Sequence, residues 1–317
     1  MNMTTEKTKT PLVPANITVI GAGAIGLSWT ALFLANGWKV TVNDPREDIK
    51  TTVKEGLDLM WPSLTALGYS KPDLDKTLFF ETDLEKAVKN ADFVQENGPE
   101  NVAFKQDLYA KLDKWVKPSA LLLSSSSSIT ASIFTAKMTR PERTLIGHPF
   151  NPPHLIPLVE VVPGIKTSHE ATVSAMFFYT ALGKKPVLIE KEIAGFVANR
   201  LQAALMRESV YLVKEGVVTM QALDNIVSSS IGLRWAAAGP FKTFTLGGGA
   251  GGLRHFLEHL GPLLESLWKQ LGDPHFDVET TKLLLEQYDA GYGKTPITAL
   301  EKERDRQQLA VMKALGR

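Results

Sequence analysis

The sequence predicts an α/β fold in two parts: a doubly wound, mostly parallel sheet with helices on both faces, followed by an all-helical C-terminal domain. Three observations predict it. Short apolar runs, the first of them β-branched, alternate with segments of helical spacing from residue 16 to about residue 190. A glycine-rich turn joins the first run to the first helix. After residue 192, apolar residues recur at helical spacing and no strong strand candidate follows.

Taken in order, NITVIGAGAIG (residues 16–26) is a β-branched run ending in glycines, and LSWTALFLANG (27–37) has helical spacing with a glycine stop. WKVTVND (38–44) is a second strand, completing a parallel βαβ unit. Further strands are expected at 77–80, 92–97, 120–125, 144–148, 158–162 and 186–190, with helices at 84–91 and 104–116 between them. Beyond the boundary, 195–216, 220–232 and 256–271 each read as one helix. The expected organisation is a loose polar leader over 1–15, a Rossmann-type NAD-binding domain over 16–192 and a helical substrate and dimerisation domain over 193–317.

Composition narrows the function. The 317 residues are 44% hydrophobic and 22% charged, enough for a sizeable core. The 35 basic and 34 acidic residues leave a formal charge of +1 with no polybasic block, which argues against nucleic acid or an anionic membrane as partner. The absence of cysteine excludes disulfides, thiolate metal sites and a cysteine nucleophile, and no metal site is expected. The first 15 residues lack the apolar core of a secretory signal and no 18-residue apolar run exists, so the cytoplasm is the expected location.

GAGAIG fits G-x-G-x-x-G in its confirming context, after a strand and at the head of a helix. Gly21 permits the tight turn, Gly23 lets a pyrophosphate approach the backbone, and Gly26 lets helix and strand pack closely. The turn residues Ala24 and Ile25 bring free N–H donors and the positive end of the helix to the phosphates. Asp44 follows 18 residues after Gly26, at the end of the second strand, where a carboxylate accepts from ribose hydroxyls and repels a 2′-phosphate. That favours NAD over NADP, a preference that nearby Arg46 weakens slightly.

GHPFNPPHLIPLVEVV (147–162) places Glu160 inside an apolar strand, where an unpaired charge is costly. His148 lies 12 residues earlier, and the proline-stiffened loop could fold back to bring the two together. The carboxylate would then fix the imidazole tautomer and raise the basicity of its other nitrogen, making a general base for an alcohol proton. A structural histidine satisfied by its surroundings is the alternative reading of the same residues.

VIGAGAIG, the VND strand end, QENGPENVAFKQDLY, SSSSS, GHPFNPPHLIPLVEVV, GFVANRL and GLRWAAAGPF resemble, in order, the blocks of the 3-hydroxyacyl-CoA dehydrogenase superfamily. The short loop after Asp44, NPPHLIPLVEVVPG and GLRW are most similar to the branch holding L-carnitine dehydrogenase and L-gulonate 3-dehydrogenase (λ-crystallin). The resemblance implies that His148 takes the 3-hydroxyl proton, with Glu160 as its partner, and that Ser127 and Asn199 hydrogen-bond the reacting oxygen and the carbonyl end of the substrate. It implies that Glu100, Lys105 and Asn151 line the cofactor. Five adjacent serines, 124–128, leave the register of Ser127 open by one position.

Fatty-acyl members carry a lysine-rich helix pair after the second strand. The shorter, less basic DIKTTVKEGLDLMWPSLTALGYSKPDLD here favours a small free hydroxy acid over a coenzyme A thioester. A free carboxylate needs a cation, for which Arg234 beside Trp235 is the candidate, and Trp235 also offers an aromatic face to a quaternary ammonium. Solvated arginine and core tryptophan are the plainer readings. The expected protein is thus an NAD-dependent dehydrogenase of a small L-3-hydroxy acid, a homodimer through its helical domain. A 3-hydroxyacyl-CoA dehydrogenase, an imine reductase and an NAD-binding structural protein without turnover are the rivals.

Overall fold

The computed structural model describes residues 16–316, so the expected leader over residues 1–15 lies outside the described residues. The chain divides into two compact units that meet between Ala198 and Asn199.

The first unit is built on an eight-stranded sheet: β1 (Asn16–Ile20), β2 (Lys39–Asn43), β3 (Leu78–Phe80), β4 (Phe93–Glu96), β5 (Leu121–Ser124), β6 (Thr144–Pro149), β7 (Leu158–Pro163) and β8 (Lys185–Leu188). Their order is β3-β2-β1-β4-β5-β6-β7-β8, and every neighbouring pair is parallel except antiparallel β6–β7. The chain runs from β1 outward to β2 and later crosses to β4 on the other side, so the order reverses at β1. Such a reversal opens a crevice at the carboxyl ends of the strands.

Both faces are covered, as a sheet of Val, Ile and Leu requires. On one face Trp29 and Phe33 of α1 (Ala24–Ala35), Val53 and Leu57 of α2 (Ile49–Ala66) and, later in the chain, Phe178 of α7 (His169–Ala181) join a core with Ile17 and Val19 of β1. On the other, Ile20 packs with α4 (Leu84–Val88), α5 (Val102–Trp115) and α6 (Ala131–Phe134) through Val88, Leu108 and Phe134. The single turn α3 (Leu74–Thr77) leads into β3. Ile17 and Val19 thus face one layer and Ile20 the other, the period of two that a strand imposes. Full burial of one such large side chain contributes about 1.5–3 kcal/mol.

The second unit is helical: α8 (Ala198–Lys214), which begins at the junction, α9 (Met220–Ser229), α10 (Ile231–Ala237), α11 (Pro240–Gly247), α12 (Gly252–His259), α13 (Gly261–Trp268), α14 (Val278–Ala290) and α15 (Ile297–Ala314). Among its described residues there is no strand. Three helical expectations are corrected. The helix expected from 195 begins at Ala198, because Gly195 and Phe196 take positive φ values of 74° and 50°. The segment 220–232 is broken at Ser230, whose backbone leaves the helical region (φ −133°, ψ −93°). The segment 256–271 restarts at Gly261 because Pro262 has no N–H to continue the ladder. Helices α2 and α7 were not among the expected elements: α7 is apolar around most of its circumference, while α2 buries Ile49, Val53, Leu57, Trp61 and Leu64 at helical spacing and carries Pro62.

Candidate active site

The glycine turn fits a dinucleotide at each of its three glycines. Gly21 has φ +78°, and a Cβ there would lie 3.0 Å from the Asn97 carbonyl oxygen. A Cβ on Gly26 would lie 1.9 Å from the Gly21 carbonyl oxygen, so α1 can sit this close to β1 only with glycine there. A Cβ on Gly23 would meet nothing within 4 Å: this residue is spared a side chain to leave space outside the protein, where a pyrophosphate would lie. Gly23 caps α1 without a side-chain hydrogen bond, so the N–H groups of the first turn, Ala24 and Ile25 among them, remain for an anion.

Asp44, buried at the end of β2, accepts from the Ala22 N–H at 2.9 Å and from the backbone and guanidinium of Arg46. Burial pushes its carboxyl up. The hydrogen bonds from Arg46 and Ala22 outweigh that and hold it below the usual aspartate range. The turn and Asp44 are therefore one hydrogen-bonded piece.

Two polar tracts, QENGPE and SSSSS, lie side by side because β4 and β5 pair in parallel with Glu96 opposite Ser124. The pairing assigns a task to the first four serines. Ser124 donates to the buried Glu96 carboxylate at 2.6 Å. Ser125 accepts from Trp29 and Gln95 and donates to Asn97 at 2.7 Å, which uses its whole capacity. Ser126 donates to Glu100 at 2.9 Å, and the Ser127 hydroxyl does so at 3.1 Å with its N–H on the same carboxylate. Ser127 is half-buried and Ser128 exposed. Glu100 thus ties down the loop that holds Ser127.

Lys105, expected to line the cofactor, is placed differently. Its ammonium is fully buried, 2.8 Å from both oxygens of Glu96. Glu96 also accepts from the Gly98 N–H at 2.6 Å. The reason is electrostatic: a carboxylate at a buried strand end needs a cation, and Lys105, nine residues on and in the second turn of α5, reaches it. In this structure Lys105 fixes the 97–101 loop against Gly21 rather than offering an open contact. Glu96 and Asn97 are the site residues that sequence reasoning passed over; the signal was the acid and amide ending a strand opposite the serines.

His148 and Glu160 are directly opposed residues of the antiparallel β6–β7 pair. The imidazole Nδ1 lies 2.8 Å from Glu160 Oε2, and both side chains are almost wholly buried. The other oxygen, Oε1, accepts the N–H groups of Val197 at 3.0 Å and Ala198 at 2.9 Å, at the head of α8. Because a carboxylate only accepts, Nδ1 carries the proton and Nε2 is left as the acceptor nitrogen. Burial raises the Glu160 carboxyl, but the hydrogen bonds from His148, Ala198 and Val197 overcome it and hold the group below its ordinary value of 4.5. The rings of Phe150 and Phe196 stand 4.9 and 5.4 Å from the imidazole. The left-handed backbone of Phe196, costly for a residue with a Cβ, keeps its ring beside His148 and turns the next two N–H groups onto Glu160. Gly147 is needed because a Cβ there would sit 1.8 Å from the hydroxyl of Tyr179, which bonds Gln95 from below.

Asn151 is exposed on the loop after His148, at the start of a cis bond to Pro152. That loop is tied to the rest of the unit. His154 bonds Ser28 of α1 through its N–H and Nδ1, both at 2.8 Å, and buried Lys184 donates to the carbonyls of Pro153 and Ile156. Asn199 stands in the first turn of α8, in the second unit, and Arg234 and Trp235 lie exposed on α10. Among the described residues no group of three or more His, Cys, Asp or Glu is placed to hold a metal.

The sequence profile described as "3-hydroxyacyl-CoA dehydrogenase, NAD binding domain" matches residues 16–193, and that of the C-terminal domain matches 195–292. The chain belongs to the 3-hydroxyacyl-CoA dehydrogenase family. Family members similar to it include L-carnitine dehydrogenase of Streptomyces coelicolor, 40% identical over 301 residues (95% of each chain), and that of Pseudomonas putida, 41% over 300 residues (93% of this chain and 92% of the relative). Among solved structures, an NAD⁺-dependent dismutase that is a 5-dehydrogenase of a formyl-hydroxy-methylpyridine carboxylic acid matches with a TM-score of 0.82 and 30% identity, covering 96% of this chain and 99% of that one. With the family's NAD-binding domain spanning the glycine turn, the protein is an NAD-dependent oxidoreductase. No helix among the described residues is long and apolar enough to cross a membrane.

Proposed function

We propose that the protein oxidises the 3-hydroxyl of a small L-3-hydroxy acid to the 3-keto acid, with carnitine the first substrate to test. The observation that carries this reading is the His148–Glu160 pair: a buried carboxylate with one oxygen on two backbone N–H groups and the other on Nδ1. The carboxylate orients the ring and stabilises the imidazolium that forms when Nε2 takes the hydroxyl proton. NAD, when bound, supplies the hydride acceptor; Gly21, Gly23, Gly26, Ala24, Ile25 and Asp44 hold it, and Asn151 lies on the loop beyond His148. Ser127, positioned by Glu100, and Asn199 donate to the reacting oxygen and the carbonyl end of the substrate. Arg234 and Trp235 serve its carboxylate and its cationic end. The likeness to L-carnitine dehydrogenases over more than nine-tenths of the chain supports the substrate class.

The homodimer belongs to the same reading. Among the described residues of the second unit, only Val210, Val213 and Phe256 are buried apolar side chains, while Phe241, Leu263, Trp268 and Phe276 are more than half exposed. A monomer would leave that surface in water, and a second copy would cover it. The test of function is NADH formation from carnitine, gulonate, 3-hydroxybutyrate and 3-hydroxybutyryl-CoA side by side. Turnover of a free hydroxy acid well above the thioester supports the proposal. No turnover of any free acid overturns it.

A further inference from the structure

We propose that Arg46 sets the choice between the two nicotinamide dinucleotides, and does so by competing with the adenosine ribose for Asp44. A carboxylate offers about four lone-pair positions. On Asp44 all are taken: Oδ2 accepts the Ala22 N–H at 2.9 Å and Arg46 Nη2 at 3.0 Å, while Oδ1 accepts the Arg46 N–H at 3.1 Å and its Nε at 2.9 Å. Nη2 also donates to the Ala22 carbonyl at 2.9 Å, so the guanidinium straps Asp44 to the glycine turn. A ribose hydroxyl can reach Asp44 only by displacing one of these donors. Of the backbone donors, the Ala22 N–H belongs to the turn that holds the pyrophosphate, and the Arg46 N–H is fixed by the chain two residues beyond Asp44. The arginine side chain is 45% exposed against 7% for the aspartate, and is the one that can leave.

The displaced guanidinium stays within one side-chain length of the ribose 2′ position, where its fork matches a phosphate. It is also the sole cation of the stretch Asp44-Pro45-Arg46-Glu47-Asp48, which otherwise presents three carboxylates. Standing between Asp44 and a 2′-phosphate, the displaced guanidinium offsets the repulsion that a bare carboxylate would exert. Arg46 therefore costs NAD some affinity and admits NADP to the same site. This goes beyond the NAD dependence of the family and rests on the glycine turn alone, so it stands or falls apart from the substrate proposal.

The test is isothermal titration of NAD and NADP, without substrate, into the full-length protein and its Arg46→Gln and Arg46→Lys variants. The wild type is expected to bind NADP within about tenfold of NAD. In Arg46→Gln, NADP affinity is expected to fall more than about tenfold while NAD affinity rises about two- to fivefold, as removal of a competitor for Asp44 requires. Arg46→Lys keeps the charge but not the fork and should lie between them, as an exposed substitution that leaves the fold intact. NADP binding to the wild type more than about a thousandfold weaker than NAD, or an Arg46→Gln variant in which both affinities move by the same factor, would overturn the proposal.

Discussion

Replacing Glu160 with Gln separates a chemical role from a structural one. The carboxylate receives three donors: Nδ1–H of His148 on one oxygen and the N–H groups of Val197 and Ala198 on the other. A carboxamide has a single acceptor oxygen, so its NH₂ must face one of these sets. Turned toward Val197 and Ala198 it breaks two bonds and buries a donor against two donors, at about 1–3 kcal/mol for each unsatisfied group. Turned toward His148 it breaks one bond, and the imidazole can recover it by moving its proton to Nε2 so that Nδ1 accepts. The second arrangement is favoured, and it leaves Nε2 protonated and unable to take a proton from substrate. The loss of stability should then be about 1–2 kcal/mol, while kcat falls by about 10³–10⁴, the size of a wrong-tautomer effect. Steady-state NADH formation with the best hydroxy acid, together with NAD titration and urea unfolding, reads all three quantities. NAD affinity should stay within about twofold of wild type, because the proposed nucleotide site, the turn at 21–26, is untouched by the substitution. A Glu160→Gln enzyme that turns over within tenfold of wild type would refute the reasoning.

Other predictions follow from the same contacts. The Glu160 carboxyl is held below its ordinary value of 4.5, so the stability it contributes is complete above that value and is lost as pH falls through the lower folded one. Acid unfolding of the wild type should show this component below about pH 4.5, and Glu160→Gln should lack it. Lys184 is pushed by burial from 10.5 down to about 7, so between those values the unfolded chain binds the extra proton and stability should rise with pH, by up to about 1.4 kcal/mol per unit. Urea midpoints of Lys184→Met should lose that slope; a slope equal to wild type would place the titration elsewhere. Gly23→Ala puts a methyl into open space and should leave the melting temperature unchanged while weakening NAD at least about tenfold, whereas Gly26→Ala meets the Gly21 carbonyl at 1.9 Å and should destabilise the whole domain. Lys105→Met strands the buried Glu96 charge and should cost about 3–5 kcal/mol in chemical denaturation.

What could be read in the sequence is what depends on local pattern. All eight strands announce themselves by short apolar runs, several of them β-branched, and the three glycines and Asp44 occupy fixed offsets that one βαβ unit imposes. The His148–Glu160 contact was also legible, because the eight proline-containing residues 150–157 between two strands leave a hairpin as the simple connection and a buried acid demands a partner. What escaped depends on pairings between distant segments. The salt link from Lys105 to Glu96 and the assignment of each serine follow from β4 lying beside β5, which strand order alone decides. The start of α8 at Ala198 was hidden because helical periodicity runs smoothly through residues 195–197. The positive φ of Phe196 turns the Val197 and Ala198 N–H groups onto Glu160, a long-range contact that no local pattern announces. The breaks at Ser230 and Gly261 likewise interrupt apolar patterns that continue across them.

The central claim, that the imidazole at 148 removes the substrate proton, is tested most directly by kcat of His148→Gln measured beside its NAD affinity. The account predicts that turnover falls at least about a thousandfold with NAD binding within twofold of wild type. Turnover within tenfold of wild type, at unchanged NAD affinity, would contradict it.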